Sequence, residues 1–146
     1  MKSRKDPVSR LVSILYRQEL KTVSHLLEQL DVSFSQLPFL MELYSEQGLS
    51  QEELVNKVQV DKAMATRVLK QLDSKGLITR ERNPNDARSK LVYPTDKALS
   101  LKPQLLNIIA DWNDTLTQGI TEEEIELVKR INRKMILNVK EKFGKQ

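Results

Sequence analysis

The sequence predicts a mainly α-helical chain interrupted once by a small β-hairpin. Two observations carry this. Apolar residues recur at three- and four-residue spacing along most of the chain, the period of one helix face. Charged residues make up 30% of the sequence and aromatics 5%, with only four glycines, a composition that suits packed helices better than stacked sheets. At 146 residues the chain is long enough to bury one core.

The first helix is expected over Pro7 to Gln29, with Val8, Leu11, Leu15, Val23, Leu26 and Leu30 at helical spacing. Ser33 or Ser35 can cap a second helix carrying Leu37, Leu40, Leu43 and Tyr44, which stops at Gly48. Ser50 opens a short third helix, and Glu53 three residues on completes a capping box. Asp61 caps a fourth helix that ends at Lys75, with Gly76 as its left-handed terminator.

After Gly76 the period changes. Residues 77–82 and 90–93 read as strands around the turn-forming stretch Asn83-Pro84-Asn85-Asp86. Thr95 caps a long helix through Leu99, Leu105, Ile109, Trp112 and Leu116, bent near Pro103. Gln118-Gly119 breaks it, and a second capping box, Thr121 with Glu124, opens a last helix carrying Ile125, Val128, Ile131, Met135 and Val139.

Composition excludes several kinds of chemistry. The chain has no cysteine, which removes disulfides, thiolate catalysis and thiol redox sensing, and its single histidine, His25, argues against a His-rich metal centre. No glycine-rich phosphate loop, nucleophile elbow or His-Glu metal motif is present, so an enzyme is not expected, nor any cofactor. No apolar run is long enough to cross a membrane, and the basic N-terminal stretch is not followed by a signal-peptide core. A cytoplasmic protein is therefore expected.

Charge is uneven along the chain. Residues 61–90 hold eight cations against four acids, whereas residues 11–60 hold three against seven. Concentrated positive charge attracts a polyanion, although a solvated surface can also be locally basic.

The fourth helix is the most informative element. Met64, Ala65, Val68, Leu69 and Leu72 share one face; Lys62, Ala63, Thr66, Arg67 and Lys70 share the other. Alone, this pattern also describes an ordinary amphipathic surface helix. Only a short connection separates it from the third helix, and two helices so joined form a helix-turn-helix whose second member can enter the major groove. Arg67 can donate a bidentate pair to guanine, Thr66 and Ala63 can meet a thymine methyl, and Lys62 and Lys70 can reach phosphates. Ser50 and Gln51 can offer backbone amides to a phosphate. The hairpin that follows carries Arg80, Arg82, Arg88 and Lys90 around its tip, as a wing would, and Arg88 can enter a narrow minor groove. The alternative for Arg88 is a solvated turn residue, which the basic helix beside it disfavours.

Leu49-Ser50-Gln51-Glu52-Glu53-Leu54, then Thr66-Arg67-Val68-Leu69-Lys70-Gln71-Leu72-Asp73-Ser74-Lys75-Gly76-Leu77-Ile78-Thr79-Arg80, resembles the helix-turn-helix of the multiple-antibiotic-resistance regulator (MarR) family. Residues 83–95, with Asp86-Ala87-Arg88 followed by a strand and Thr95, resemble that family's wing. The resemblance implies a winged helix-turn-helix domain over 33–94, bound to DNA through the residues named above together with Asn85, Asp86, Arg88 and Lys90. It implies that Asp86 braces the wing by pairing with an arginine and that Arg88 is the minor-groove finger. Pro94, Ala98 and Ala87 depart from the usual pattern, and Ala87 leaves the wing one cation short.

Residues 1–32 and 95–146 carry apolar faces outside this domain, which either close within the chain or pair two copies. The resemblance implies the latter: a homodimer on a pseudo-palindromic operator, a transcription regulator and repressor, released by a small-molecule effector that is often aromatic or phenolic. His25 can line such an effector site or lie at the surface. The rival reading is a winged-helix module that binds protein instead of DNA.

Overall fold

A computed structural model describes residues 6–144 of the chain. The basic opening stretch, Lys2 to Lys5, lies outside the described residues. The chain divides into two compact units, one ending at Ile109 and the other beginning at Ala110.

In the first unit, α1 (Val8–Leu27) leads through a 3-10 turn (Glu28–Leu30) to α2 (Leu37–Ser45). A two-residue strand, β1 (Leu49–Ser50), precedes α3 (Gln51–Val58) and α4 (Lys62–Ser74). Strands β2 (Ile78–Arg82) and β3 (Lys90–Pro94) lead into α5 (Asp96–Thr117), which continues into the second unit. There Gly119, at φ 77°, makes the turn to α6 (Glu122–Phe143).

The expected caps hold at four of five helices. Ser50 Oγ accepts Glu53 N–H while Glu53 Oε1 accepts Ser50 N–H, and Thr121 and Glu124 repeat the exchange. The backbone N–H and then the hydroxyl of Thr121 hold the Glu124 carboxyl below its ordinary range. Asp61 Oδ1 accepts Met64 N–H at 2.7 Å. At α2 the expected serine cap is absent. Gln36 Oε1 instead takes the Ser33 N–H at 3.1 Å, and the two serine hydroxyls bond each other. The Gln36 side chain ties back the turn before α2, and α2 itself starts without a side-chain cap.

The end of α4 follows its glycine. Gly76, at φ 72°, lets Leu77 N–H reach Leu72 O and Gly76 N–H reach Asp73 O, a Schellman closure. Thr95 then fastens this corner to α5. Its hydroxyl lies 2.7 Å from Gly76 O, and its N–H donates to Leu77 O. The same Thr95 Oγ1 accepts Ala98 N–H, capping α5 as the sequence predicts.

The sheet is antiparallel in the order β1-β3-β2, with Leu49 opposite Val92 and Arg80 opposite Val92 from the other side. Strand β1 was not expected. Two residues are too few to show a period, and the pairing partner is more than forty positions away. Gly48 makes the approach to it: φ is 78°, its N–H donates to Val92 O, and an added Cβ would lie 2.9 Å from Tyr93 Oη.

The core of the first unit gathers Leu27, Phe39, Leu40, Leu43, Leu54, Leu69, Leu72 and Leu105, all fully buried. Gln36 is the one buried polar side chain among the described residues. It donates to Gln71 Oε1 and accepts from Lys75 Nζ at 2.9 Å, so the α2 start and the α4 end share one part-buried network. Tyr44 of α2 donates to Ala98 O of α5, with the Lys102 ammonium over its ring, and burial pushes its phenol up.

The second unit buries none of its described side chains, and only Trp112, Thr117, Ile125 and Met135 are half-buried. With no fully buried apolar side chain, this unit lacks a core of its own.

Candidate nucleic-acid interface

The exposed face of α4 is built by the periodicity that builds the core. Ala65, Val68, Leu69 and Leu72 are buried, and this turns Lys62, Ala63, Thr66, Arg67 and Lys70 to the outside, where all five are exposed. The connection from α3 is tight. Gln59 adopts φ 65° and donates its N–H to Val55 O, and Asp61 already caps α4.

Between α3, the start of α4 and the wing lies an open cleft of about 940 Å³. Lys62, Arg80, Arg88 and Lys90 line it together with Ser50, Gln51 and the acids Glu52, Glu53 and Asp86. Six of the predicted residues thus share one concavity, namely Ser50, Gln51, Lys62, Asp86, Arg88 and Lys90. Ala63, Thr66, Arg67, Lys70 and Asn85 do not line it, although each is exposed.

The cations are not equivalent. None of the ion pairs among the described residues engages Lys62, Arg67, Lys70, Arg82, Arg88 or Lys90. Arg80 differs: its Nε lies 3.7 Å from Asp73 Oδ2, which spends part of its charge on tying β2 to α4. Arg82 stands opposite Lys90 in the strand register, a like-charge pair left without a neutralising acid.

The wing tip is held by its own polar side chains. Asn83 Oδ1 accepts Asn85 N–H, Asn83 Nδ2 donates to Ser89 Oγ, and Asp86 Oδ1 accepts Arg88 N–H, all within 3.0 Å. Asp86 therefore braces the wing through the Arg88 backbone and not through an arginine side chain as expected. A carboxylate two residues before an amide closes an Asx turn more readily than it reaches a guanidinium on the same turn. The Arg88 guanidinium is left free by this arrangement.

Ser50 also departs from expectation. Its N–H is taken by Glu53 Oε1, so it is not available to a phosphate. Gln51, at the first position of α3, has no helical acceptor for its amide. Its side chain does what sequence reasoning missed: Nε2 donates to Thr66 Oγ1 at 2.8 Å. The two residues lie fifteen positions apart on different helices, and no local pattern signals the bond. His25 is a surface residue, its Nδ1 3.8 Å from Glu28 Oε2.

No helix among the described residues is long and apolar enough to cross a membrane, and no group of three or more potential ligands among them is placed to hold a metal.

Comparisons with known proteins agree with this geometry. Residues 32–90 match the model of the MarR family. The chain is 47% identical over 66 residues to the HTH-type transcriptional regulator YdgJ of Bacillus subtilis, a match covering 45% of this chain and 40% of that protein. It is 27% identical over 131 residues to the multiple antibiotic resistance protein MarR of Escherichia coli, covering 89% of this chain and 91% of the other. Among solved structures, the MarR protein from Peptoclostridium difficile superposes with a TM-score of 0.90 at 25% identity, covering 99% of this chain and 95% of that one. A mutant MarR from Escherichia coli complexed with operator DNA gives 0.80 at 26% identity, covering 91% and 96%. The family is one of regulators, not of enzymes. With residues 32–90 matched by the family model and nearly the whole length superposable on a solved MarR protein, the winged-helix segment of this chain is a MarR-family segment and the chain as a whole is similar to that family's transcriptional regulators.

Proposed function

We propose that the protein is a cytoplasmic, homodimeric repressor that binds a pseudo-palindromic operator in double-stranded DNA and is released from it by a small-molecule effector. The observation that carries the DNA reading is the set of unpaired cations on two adjacent elements, Lys62, Arg67 and Lys70 on α4 and Arg82, Arg88 and Lys90 on the wing. A protein-binding winged helix has no use for uncompensated charge at this density. A phosphate backbone does, because each neutralised phosphate releases counterions. In this reading α4 lies in the major groove with Arg67 on guanine, while Arg88 enters the flanking minor groove. Lys62, Lys70 and the Gln51 amide fix the register on the phosphates.

Dimerisation is supported by what stays exposed. Val8, Leu11, Val12 and Leu15 make a bare apolar stripe along α1, and Val128, Ile131, Ile136, Leu137 and Val139 are exposed on α6. Residues 1–32 and 95–146 would form the dimer region, and 33–94 the reading head. The effector is taken to be a small aromatic or phenolic anion, by likeness to the family.

The test is fluorescence anisotropy of the purified protein on the DNA upstream of its own gene, against scrambled duplex, at two salt concentrations. Preference of about a thousandfold that weakens steeply with salt supports the reading. Absence of binding to either duplex at low salt sinks it, and leaves the protein-binding winged helix.

A further inference from the structure

We infer that Thr66 reads the 5-methyl group of a thymine through its own γ-methyl, and that Gln51 is the positioning residue that fixes it in this role. The inference rests on the DNA reading above and assigns one contact within it. A threonine hydroxyl has one proton to donate and two lone pairs to accept with. In Thr66 the proton goes to Lys62 O at 2.9 Å, and one lone pair takes Gln51 Nε2–H at 2.8 Å. The oxygen is thus held between its own helix backbone and α3, with no proton left for the acceptors of guanine, adenine or thymine.

Thr66 is nevertheless exposed, and the group it has left to present is the methyl. Ala63 lies one turn earlier on the same face, also exposed, so two methyl groups stand as neighbours on the outer surface of α4. Lys62, Arg67 and Lys70 surround them. An apolar spot within a cationic face matches the one apolar feature of the major groove, the thymine methyl. Without Gln51 the hydroxyl keeps Lys62 O but loses its partner on α3, so one of the two bonds that hold Thr66 in its rotamer is gone.

A site is first selected from random duplexes by the full-length protein, and each thymine in it is then replaced singly by deoxyuridine, which lacks only the methyl group. For the parent protein, one replacement per half-site is expected to weaken binding about fourfold, the worth of one buried methyl. With Thr66→Ser the hydroxyl network stays and that dependence disappears. With Thr66→Val the methyl stays and the dependence persists. With Gln51→Leu the dependence shrinks at that one position only.

A parent protein that binds the selected site tightly but ignores uracil everywhere overturns the inference and leaves the DNA reading intact. Retention of the dependence by Thr66→Ser with its loss in folded Thr66→Val overturns it as well, since the hydroxyl and not the γ-methyl of Thr66 would then set the dependence. If no duplex is enriched at all, both the inference and the DNA reading fall.

Discussion

Arg82 of β2 stands directly opposite Lys90 of β3, so the two strands of the wing carry like charges at the same rung of the ladder. Facing cations on a strand pair cost a few tenths to about 1 kcal/mol. Arg82→Glu should therefore raise the stability of the free protein by about that amount, measured by urea denaturation. The same change should weaken DNA binding and flatten its salt dependence. A variant that is both more stable and an equal binder would show that the wing does not meet DNA here.

Arg67 and Arg88 should fail in different ways. Arg67→Ala is expected to cost roughly 1–3 kcal/mol on the selected site and to relax the base preference at one position per half-site. Arg88→Ala should weaken binding most where the flanks are A·T-rich, because its contact is to groove shape and potential. Anisotropy on matched duplexes with A·T and G·C flanks separates the two. Equal losses on all sequences from both variants would reduce them to phosphate contacts.

Gly48 and Gly76 are both left-handed, at φ 78° and 72°, but only one is crowded. Around Gly76 an added methyl meets nothing, so Gly76→Ala should cost only the backbone penalty of about 1–2 kcal/mol. At Gly48 the methyl would also press on the Tyr93 ring, 2.9 Å from Oη, so Gly48→Ala should cost more. Chemical denaturation of the two variants gives the order, and the reverse order would mean that β1 yields easily.

Gln36→Ala should destabilise the protein by about 2–4 kcal/mol, combining a cavity with the lost partners of Ser33, Gln71 and Lys75. Lys75 keeps Asp31, whose carbonyl it reaches at 2.8 Å, so its ammonium is not stranded. A loss below about 0.5 kcal/mol would mean that water replaces the amide.

Leu15→Glu on α1 places a charge in the bare apolar stripe. If two copies meet there, sedimentation should show a shift from dimer to monomer, and affinity for a palindromic site should fall much more than affinity for a single half-site. A parent protein that sediments as a monomer at all concentrations would contradict the pairing of these faces.

Much of this was legible in the residues, because the interactions concerned are local. Ser50 with Glu53, Asp61, Gly76 and Thr121 with Glu124 act within a few positions of one another, and the caps they predict are present. The buried and exposed faces of α4 follow from a period of 3.6 residues and need no knowledge of what covers them. The basic wing followed from a change of period and a run of turn residues.

Pairings across long separations were decided by the tertiary structure alone. The strand Leu49–Ser50 exists because β3 offers it an edge, and the Gln36 side chain accepts from both the Ser33 N–H and Lys75 because folding buries it beside the end of α4. Which cations remain free was also decided there. Arg80 meets Asp73 only once the α4 corner has brought β2 back beside the helix, while Arg67 and Arg88 meet no acid. The sequence by itself determined which faces are apolar and which are charged, since both are properties of neighbouring residues. Which polar groups are already spent depends on what folding brings within 3 Å, and that decided that Thr66 keeps its methyl to offer while its hydroxyl is held by Gln51.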